Sequence, residues 1–107
     1  MNIVKSYNNK LEYYKVATRC LSVFLDEDKR LTSTEEDIVA FILSNPGPVE
    51  GRLRKELLKY LKMSTQSLSG HMKRIREKGW IDYNNRPDTK LEKIIQGISV
   101  SIKYGDQ

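Results

Sequence analysis

Leu57 to Ile81, LLKYLKMSTQSLSGHMKRIREKGWI, is the stretch whose reading decides the fold. Its apolar residues fall into two helical stripes. Leu57, Leu58 and Leu61, with Leu53 just upstream, line the inner face of a helix expected over 50–61. Leu68, Met72 and Ile75 line a second helix, expected from Ser64 to Lys78. Ser64 is a good N-cap, because its hydroxyl can accept from the free N–H groups of the first turn. Gly79 is a good stop, because it takes the left-handed backbone that often ends a helix. Lys62 and Met63 leave room only for a tight turn, so the two segments read as a helix-turn-helix.

Downstream the period changes. Trp80-Ile81-Asp82-Tyr83 reads as a short strand and 84–87 as a turn. Thr89 to Ile95 offers one or two helical turns with Leu91, Ile94 and Ile95 inward, and Gly97 is expected to break them. Ile98-Ser99-Val100-Ser101-Ile102-Lys103-Tyr104 alternates with period two and is expected to be a strand with one buried face. Trp80, Tyr83 and Tyr104 are expected to close the core beneath this sheet.

Upstream, Thr32-Ser33-Thr34-Glu35-Glu36-Asp37 is a strong helix start. Thr32 with Glu35, or Ser33 with Glu36, makes a capping box. The acids also favour the positive end of the helix dipole. Ile38, Phe41 and Ile42 give that helix its buried stripe. Asn45-Pro46-Gly47-Pro48 ends it, and Val49 could add a single-residue strand.

The first helix is expected over 9–25. Leu11, Tyr14, Ala17, Leu21, Phe24 and Leu25 form one stripe; Tyr13, Val16, Cys20 and Val23 form another beside it. Together they span an apolar arc of roughly 240° at ~100° per residue. Glu12, Lys15, Thr18, Arg19, Ser22 and Asp26 fill the remainder. A surface helix needs an apolar face only a little over ~100° wide. The excess has two readings: a partner subunit packs on Tyr13, Val16, Cys20 and Val23, or the chain wraps its own central helix.

The order is helix, helix, single-residue strand, helix, helix, strand, loop, strand. The expected fold is therefore mainly α with a small β-sheet: a winged helix-turn-helix over 31–107, preceded by an N-terminal helix and connector over 1–30. The segment 57–81 resembles the helix-turn-helix and first wing strand of the MarR and GntR regulator families. Leu57, Leu58 and Leu61 match the first motif helix, Met63 the apolar turn position and Ser64 the cap. Leu68, Met72 and Ile75 match the inner stripe of the recognition helix. Glu77-Lys78-Gly79-Trp80-Ile81 resembles the exit into the wing, and LTSTEEDIVAFIL, from Leu31 to Leu43, resembles the opening helix. Small phage-encoded proteins of this type look similar. The sequence departs from these families at 84–97, which is longer and more apolar than a DNA-touching wing.

The outer face of the second motif helix carries the candidate chemistry. Thr65, Gln66, Ser67 and Ser69 stand in its first turns, where recognition helices meet base edges. Gln66 could read adenine, and Arg74 guanine, through paired hydrogen bonds. Lys73, Arg76, Arg52 and Lys62 suit phosphates. Gly70 fits a close approach of DNA to the helix backbone as well as it fits an unoptimised surface position; as an interior glycine it costs about 1 kcal/mol against Ala. His71 reads as a packing or phosphate-contacting residue, and Cys20 as a small core hydrophobe. Between residues 50 and 79 nine basic side chains face three acidic ones, a surplus of six, while the whole chain carries a net +5. The basic charge is thus concentrated here, as phosphate contact requires.

The rest is bounded by composition. The 107 residues fit one domain. With one cysteine and one histidine, no metal-ligand spacing exists, and no metal or cofactor is expected. No apolar run suggests a signal peptide or a membrane span, so a cytoplasmic setting in a bacterial or phage-infected cell is expected. No Ser/His/Asp set, paired-carboxylate cleft or phosphate-cradling loop suggests an enzyme. The leading reading is a sequence-specific double-stranded DNA-binding regulator acting as a homodimer. The alternative is a phage packaging or virion-assembly adaptor, similar to small terminase subunits, that contacts phage or host proteins. A third reading is a helix-turn-helix that binds only protein.

Overall fold

The computed structural model describes residues 10–45 and 51–105, with side chains over 11–45 and 51–98. Among the described residues five α-helices follow one another: α1 (Lys10–Phe24), α2 (Ser33–Ser44), α3 (Gly51–Leu61), α4 (Thr65–Glu77) and α5 (Thr89–Gly105). A 3₁₀ turn at Glu27–Lys29 joins α1 to α2. Helix α1 packs against both α2 and α5, and α2 also meets α4. The core runs through all five helices: Tyr14, Ala17 and Leu21 from α1, Ile38 and Ile42 from α2, Leu57 from α3, Leu68, Met72 and Ile75 from α4, and Ile95 from α5.

Local chemistry sets the helix ends. Of the two possible capping boxes, Thr32 with Glu35 forms. Thr32 Oγ1 accepts from Glu35 N–H at 3.3 Å, and Glu35 Oε1 accepts from Thr32 N–H at 2.8 Å. Ser64 Oγ caps α4 by accepting from Ser67 N–H at 3.2 Å. Gly79, at φ +85°, closes α4: Gly79 N–H reaches Arg76 C=O at 3.0 Å, and Trp80 N–H reaches Ile75 C=O at 3.2 Å. These two bonds are those of a Schellman C-cap. Helix α3 ends in the same way without a glycine. Lys62 takes φ +54°, and Met63 N–H reaches back to Leu58 C=O at 3.3 Å.

The expected winged helix-turn-helix with its small β-sheet is overturned. No strand exists among the described residues. Where the first wing strand was expected, at 80–83, there is a single antiparallel bridge between Ile81 and Pro87. The turn inside it is held by Asp82, whose Oδ1 accepts from Asn84 N–H at 2.8 Å and Arg86 N–H at 3.0 Å. Directly afterwards Asp88 Oδ2 accepts from Leu91 N–H at 3.1 Å and starts α5. The expected strand at 98–104 is the C-terminal part of that helix, and Gly97 lies inside it without breaking it. The physical reason lies in the spacing. Residues four apart share a face in both a strand and a helix, so a short alternation cannot separate the two. Leu91, Ile95 and Ile98 recur at i, i+4 and i+7 and supply a packing face for α5 that no strand would match.

The burial pattern of α1 also departs from its expected wheel. Thr18 and Ser22, placed on the polar side by sequence, are buried. Ser22 Oγ accepts from Leu31 N–H at 2.8 Å and so ties α1 to the connector. Conversely Phe24, expected inward, is 85% exposed, and Cys20, expected in the core, is exposed. Trp80 is buried as expected, and its Nε1–H donates to Lys29 C=O at 2.7 Å. Tyr83, expected to close the core, is 91% exposed. Ile94, expected inward, is partly exposed. The expected strand at Val49 and the helix stop at Pro46 to Pro48 lie outside the described residues, as does the side chain of Tyr104.

Candidate nucleic-acid interface

The buried stripe Leu68, Met72 and Ile75 fixes which way α4 faces. The opposite side presents Gln66, Ser67, Ser69, Lys73, Arg74 and Glu77, all exposed, and Thr65 is exposed in the first turn. Lys62 stands exposed at the turn that precedes them. The ion pairs between described residues employ Lys15, Arg19, Arg52, Arg74 and Lys78. Lys55, Lys59, Lys62 and Lys73 are therefore exposed cations with no described carboxylate in ion-pairing range.

The other basic residues are held. Arg52, on the outer side of α3, pairs with Glu56 one turn on, at 3.1 Å. Arg54 Nη2 donates to Ser69 Oγ at 3.1 Å and bridges α3 to the α4 face. Arg76 is only half-exposed. It donates to Asn85 Oδ1 at 2.8 Å, and its guanidinium lies 5.9 Å from the Tyr83 ring centroid. Arg76 thus braces the 82–87 turn against α4 and stands apart from the open face.

Arg74 is shared. Its Nη2 lies 2.9 Å from His71 Nδ1. Arginine has only donors, so His71 Nδ1 accepts, and the ring proton sits on Nε2. Arg74 Nε lies 3.8 Å from Glu35 Oε2, and more than half of the side chain still faces solvent. The same guanidinium arches over Gly70, with Nη1 3.7 Å from where a Cβ would stand. The close approach at Gly70 is therefore made by Arg74 itself, at ordinary van der Waals distance.

Glu35 anchors the basic end of α4 to α2. It is fully buried, and its Oε1 accepts from Lys78 Nζ as well as from Thr32 N–H. Burial pushes its carboxyl up, but the Lys78 hydrogen bond, the Thr32 N–H and the Lys78 charge together outweigh this and hold it below the usual value of 4.5. The neighbouring Glu36 behaves in the opposite way. Burial raises its carboxyl above 4.5, and the Arg19 guanidinium at 3.5 Å offsets only part of that.

On α1, Tyr13 of the expected subunit-facing stripe is buried within its own chain. Val16 is half-buried, while Cys20 is exposed and Val23 is 62% exposed. Neither Glu35 nor Arg54 was singled out from sequence as part of the interface. Their partners lie 43 and 15 positions away, beyond the reach of any local spacing rule. Among the described residues no His, Cys, Asp and Glu side chains gather as a metal site, and no helix is long and apolar enough to cross a membrane. No family model, no curated protein and no solved structure matches this chain.

Proposed function

We propose that this chain binds double-stranded DNA by laying the outer face of α4 in a major groove, and that it does so as a sequence-specific regulator of transcription in the cytoplasm of a bacterial or phage-infected cell. The observation that carries the reading is the outer face of α4 itself. Its first turns hold Thr65, Gln66, Ser67 and Ser69 open, its last turns hold Lys73 and Arg74 open, and Lys62 flanks it. Short polar side chains at a helix N-terminus suit base edges, while cations farther along suit phosphates. Arg74 can leave its His71 contact for a guanine or a phosphate, because its side chain is already more than half in solvent. Arg54, through Ser69, keeps α3 against the same surface and adds positive charge. The function is recognition alone, with no catalytic step.

A second reading is favoured by one observation. Val16, Cys20, Val23 and Phe24 leave an apolar face open on α1, a helix separate from α4. An assembly or packaging adaptor would oligomerise there and touch DNA weakly.

The test is a fluorescence-anisotropy titration of duplex DNA at several salt concentrations, with Lys73→Ala/Arg74→Ala beside the parent. The regulator reading expects tight binding that weakens with salt, and a salt slope reduced by about one per phosphate contact removed. It also expects Gln66→Ala to relax base preference at one position, at a cost of about 1–3 kcal/mol. Absence of binding at low salt sinks it. Binding without preference across a duplex library leaves the adaptor ahead.

A further inference from the structure

We infer that the exposed side of α1 pairs with the same helix of a second copy, antiparallel and crossing beside Val16. The inference stands on the α1 face and does not depend on the DNA reading.

Three observations lead there. First, Val16, Cys20, Val23 and Phe24 form a continuous apolar strip that neither α2 nor α5 covers, although both pack against α1. Second, Glu12, Lys15, Val16, Arg19 and Cys20 line a shallow groove of about 370 Å³ on this strip. Third, the charges beside Val16 are self-complementary. At ~100° per residue, Glu12 and Arg19 both lie ~40–60° to the same side of Val16. In a two-fold pair, residue i meets residue j and j meets i. An antiparallel crossing beside Val16 therefore sets Glu12 against the partner's Arg19, twice, on one flank. Each copy's Val16 enters the other's groove.

A rival register is centred on Cys20. It would set Val16 against the partner's Val23, but it would bring Arg19 onto its own copy at the dyad and give Glu12 no cation from the partner, leaving only Lys15 of its own helix. Gaining two opposite-charge pairs rather than one like-charge contact favours the register beside Val16. Arg19 serves both roles, because its 3.5 Å contact with Glu36 leaves the side chain more than two-thirds exposed.

The geometry also predicts which cysteines can meet. Cys20 stands four residues beyond the crossing, so the two copies of it would be about 12 Å apart along the axes, at 1.5 Å per residue. A disulfide needs Cα atoms within about 7 Å. Along the axes residue 12 stands level with the partner's Cys20, across the crossing from it.

The experiment is sedimentation equilibrium of the full chain, without DNA, across the micromolar range. The parent is expected to dimerise reversibly. Arg19→Glu and Glu12→Arg are each expected to raise the dissociation constant about tenfold, and the double variant to recover the parent value. Circular dichroism of each variant separates lost pairing from lost folding. Under mild oxidation Glu12→Cys, with native Cys20 present, is expected to give a covalent dimer, and the parent is not. A parent that stays monomeric throughout overturns the pairing. A double variant no better than either single change, or ready self-linkage of Cys20, overturns the register. DNA binding by a strictly monomeric parent would refute the pairing and leave the DNA reading standing.

Discussion

Lys78, the residue that closes α4, donates to the Glu35 carboxylate in the first turn of α2, 43 positions earlier in the chain. One buried oxygen thus completes the capping box of α2 and fixes the basic end of α4. Replacing Glu35 with Gln is expected to lower stability by about 2 kcal/mol at neutral pH. Removing one partner of a buried pair costs more, but Lys78 keeps partial access to water. Chemical denaturation measures this, and an unchanged midpoint would dismiss Glu35 as an anchor.

Glu35 and Glu36 should show opposite pH trends although they are neighbours. The lowered carboxyl of Glu35 contributes stability above its ordinary value of 4.5, and loses that contribution as pH falls through its folded value. The raised carboxyl of Glu36 favours the fold only while protonated, and that contribution is lost as pH rises through its folded value. The deficit of Glu35→Gln against the parent should therefore grow from acid to neutral pH. Over the same range Glu36→Gln should gain on the parent. Unfolding free energies at a series of pH values, with the two variants side by side, decide it; parallel trends would contradict the assignment.

Lys62 holds a left-handed backbone that lysine disfavours by roughly 1–2 kcal/mol. Lys62→Gly is expected to raise stability by about 1 kcal/mol while removing one cation from the edge of the α4 face. Stability and DNA affinity should then move in opposite directions. Loss of both would mean that the side chain itself supports the turn.

Gly70 offers a similar separation. A methyl group there meets only the Arg74 guanidinium, at 3.7 Å. Gly70→Ala should therefore stabilise α4 by about 0.5–1 kcal/mol in thermal or chemical unfolding. If the α4 backbone lies against DNA, the same change weakens binding; unchanged binding would place the contact at the side chains alone.

The helix pair α3 and α4 was legible in Leu57 to Gly79, because an apolar stripe, a serine cap and a terminal glycine all act within a few residues of one another. The start of α2 was equally legible, apart from the choice between Thr32 and Ser33 as the cap. The C-terminal third misled. Ile98 to Tyr104 alternates like a strand, yet Asp88 starts a helix ten residues earlier and Leu91, Ile95 and Ile98 carry it along the side of α1. That α4 presents an open polar and basic face followed directly from the stripe Leu68, Met72 and Ile75. The roles of Arg74 and Arg76 did not follow, because both depend on groups outside α4's own spacing: Glu35 on α2, and Asn85 and Tyr83 on the following turn.

The sequence by itself determined where α1 to α4 lie, how α4 is oriented and that positive charge gathers on its side, since each rests on periodicity and capping over short separations. Only the tertiary structure decided that the last segment is a helix rather than a wing, which side of α1 stays open and which arginines are bound within the chain. Those outcomes depend on what packs against what, and a residue's spacing along the chain carries no record of a partner many positions away.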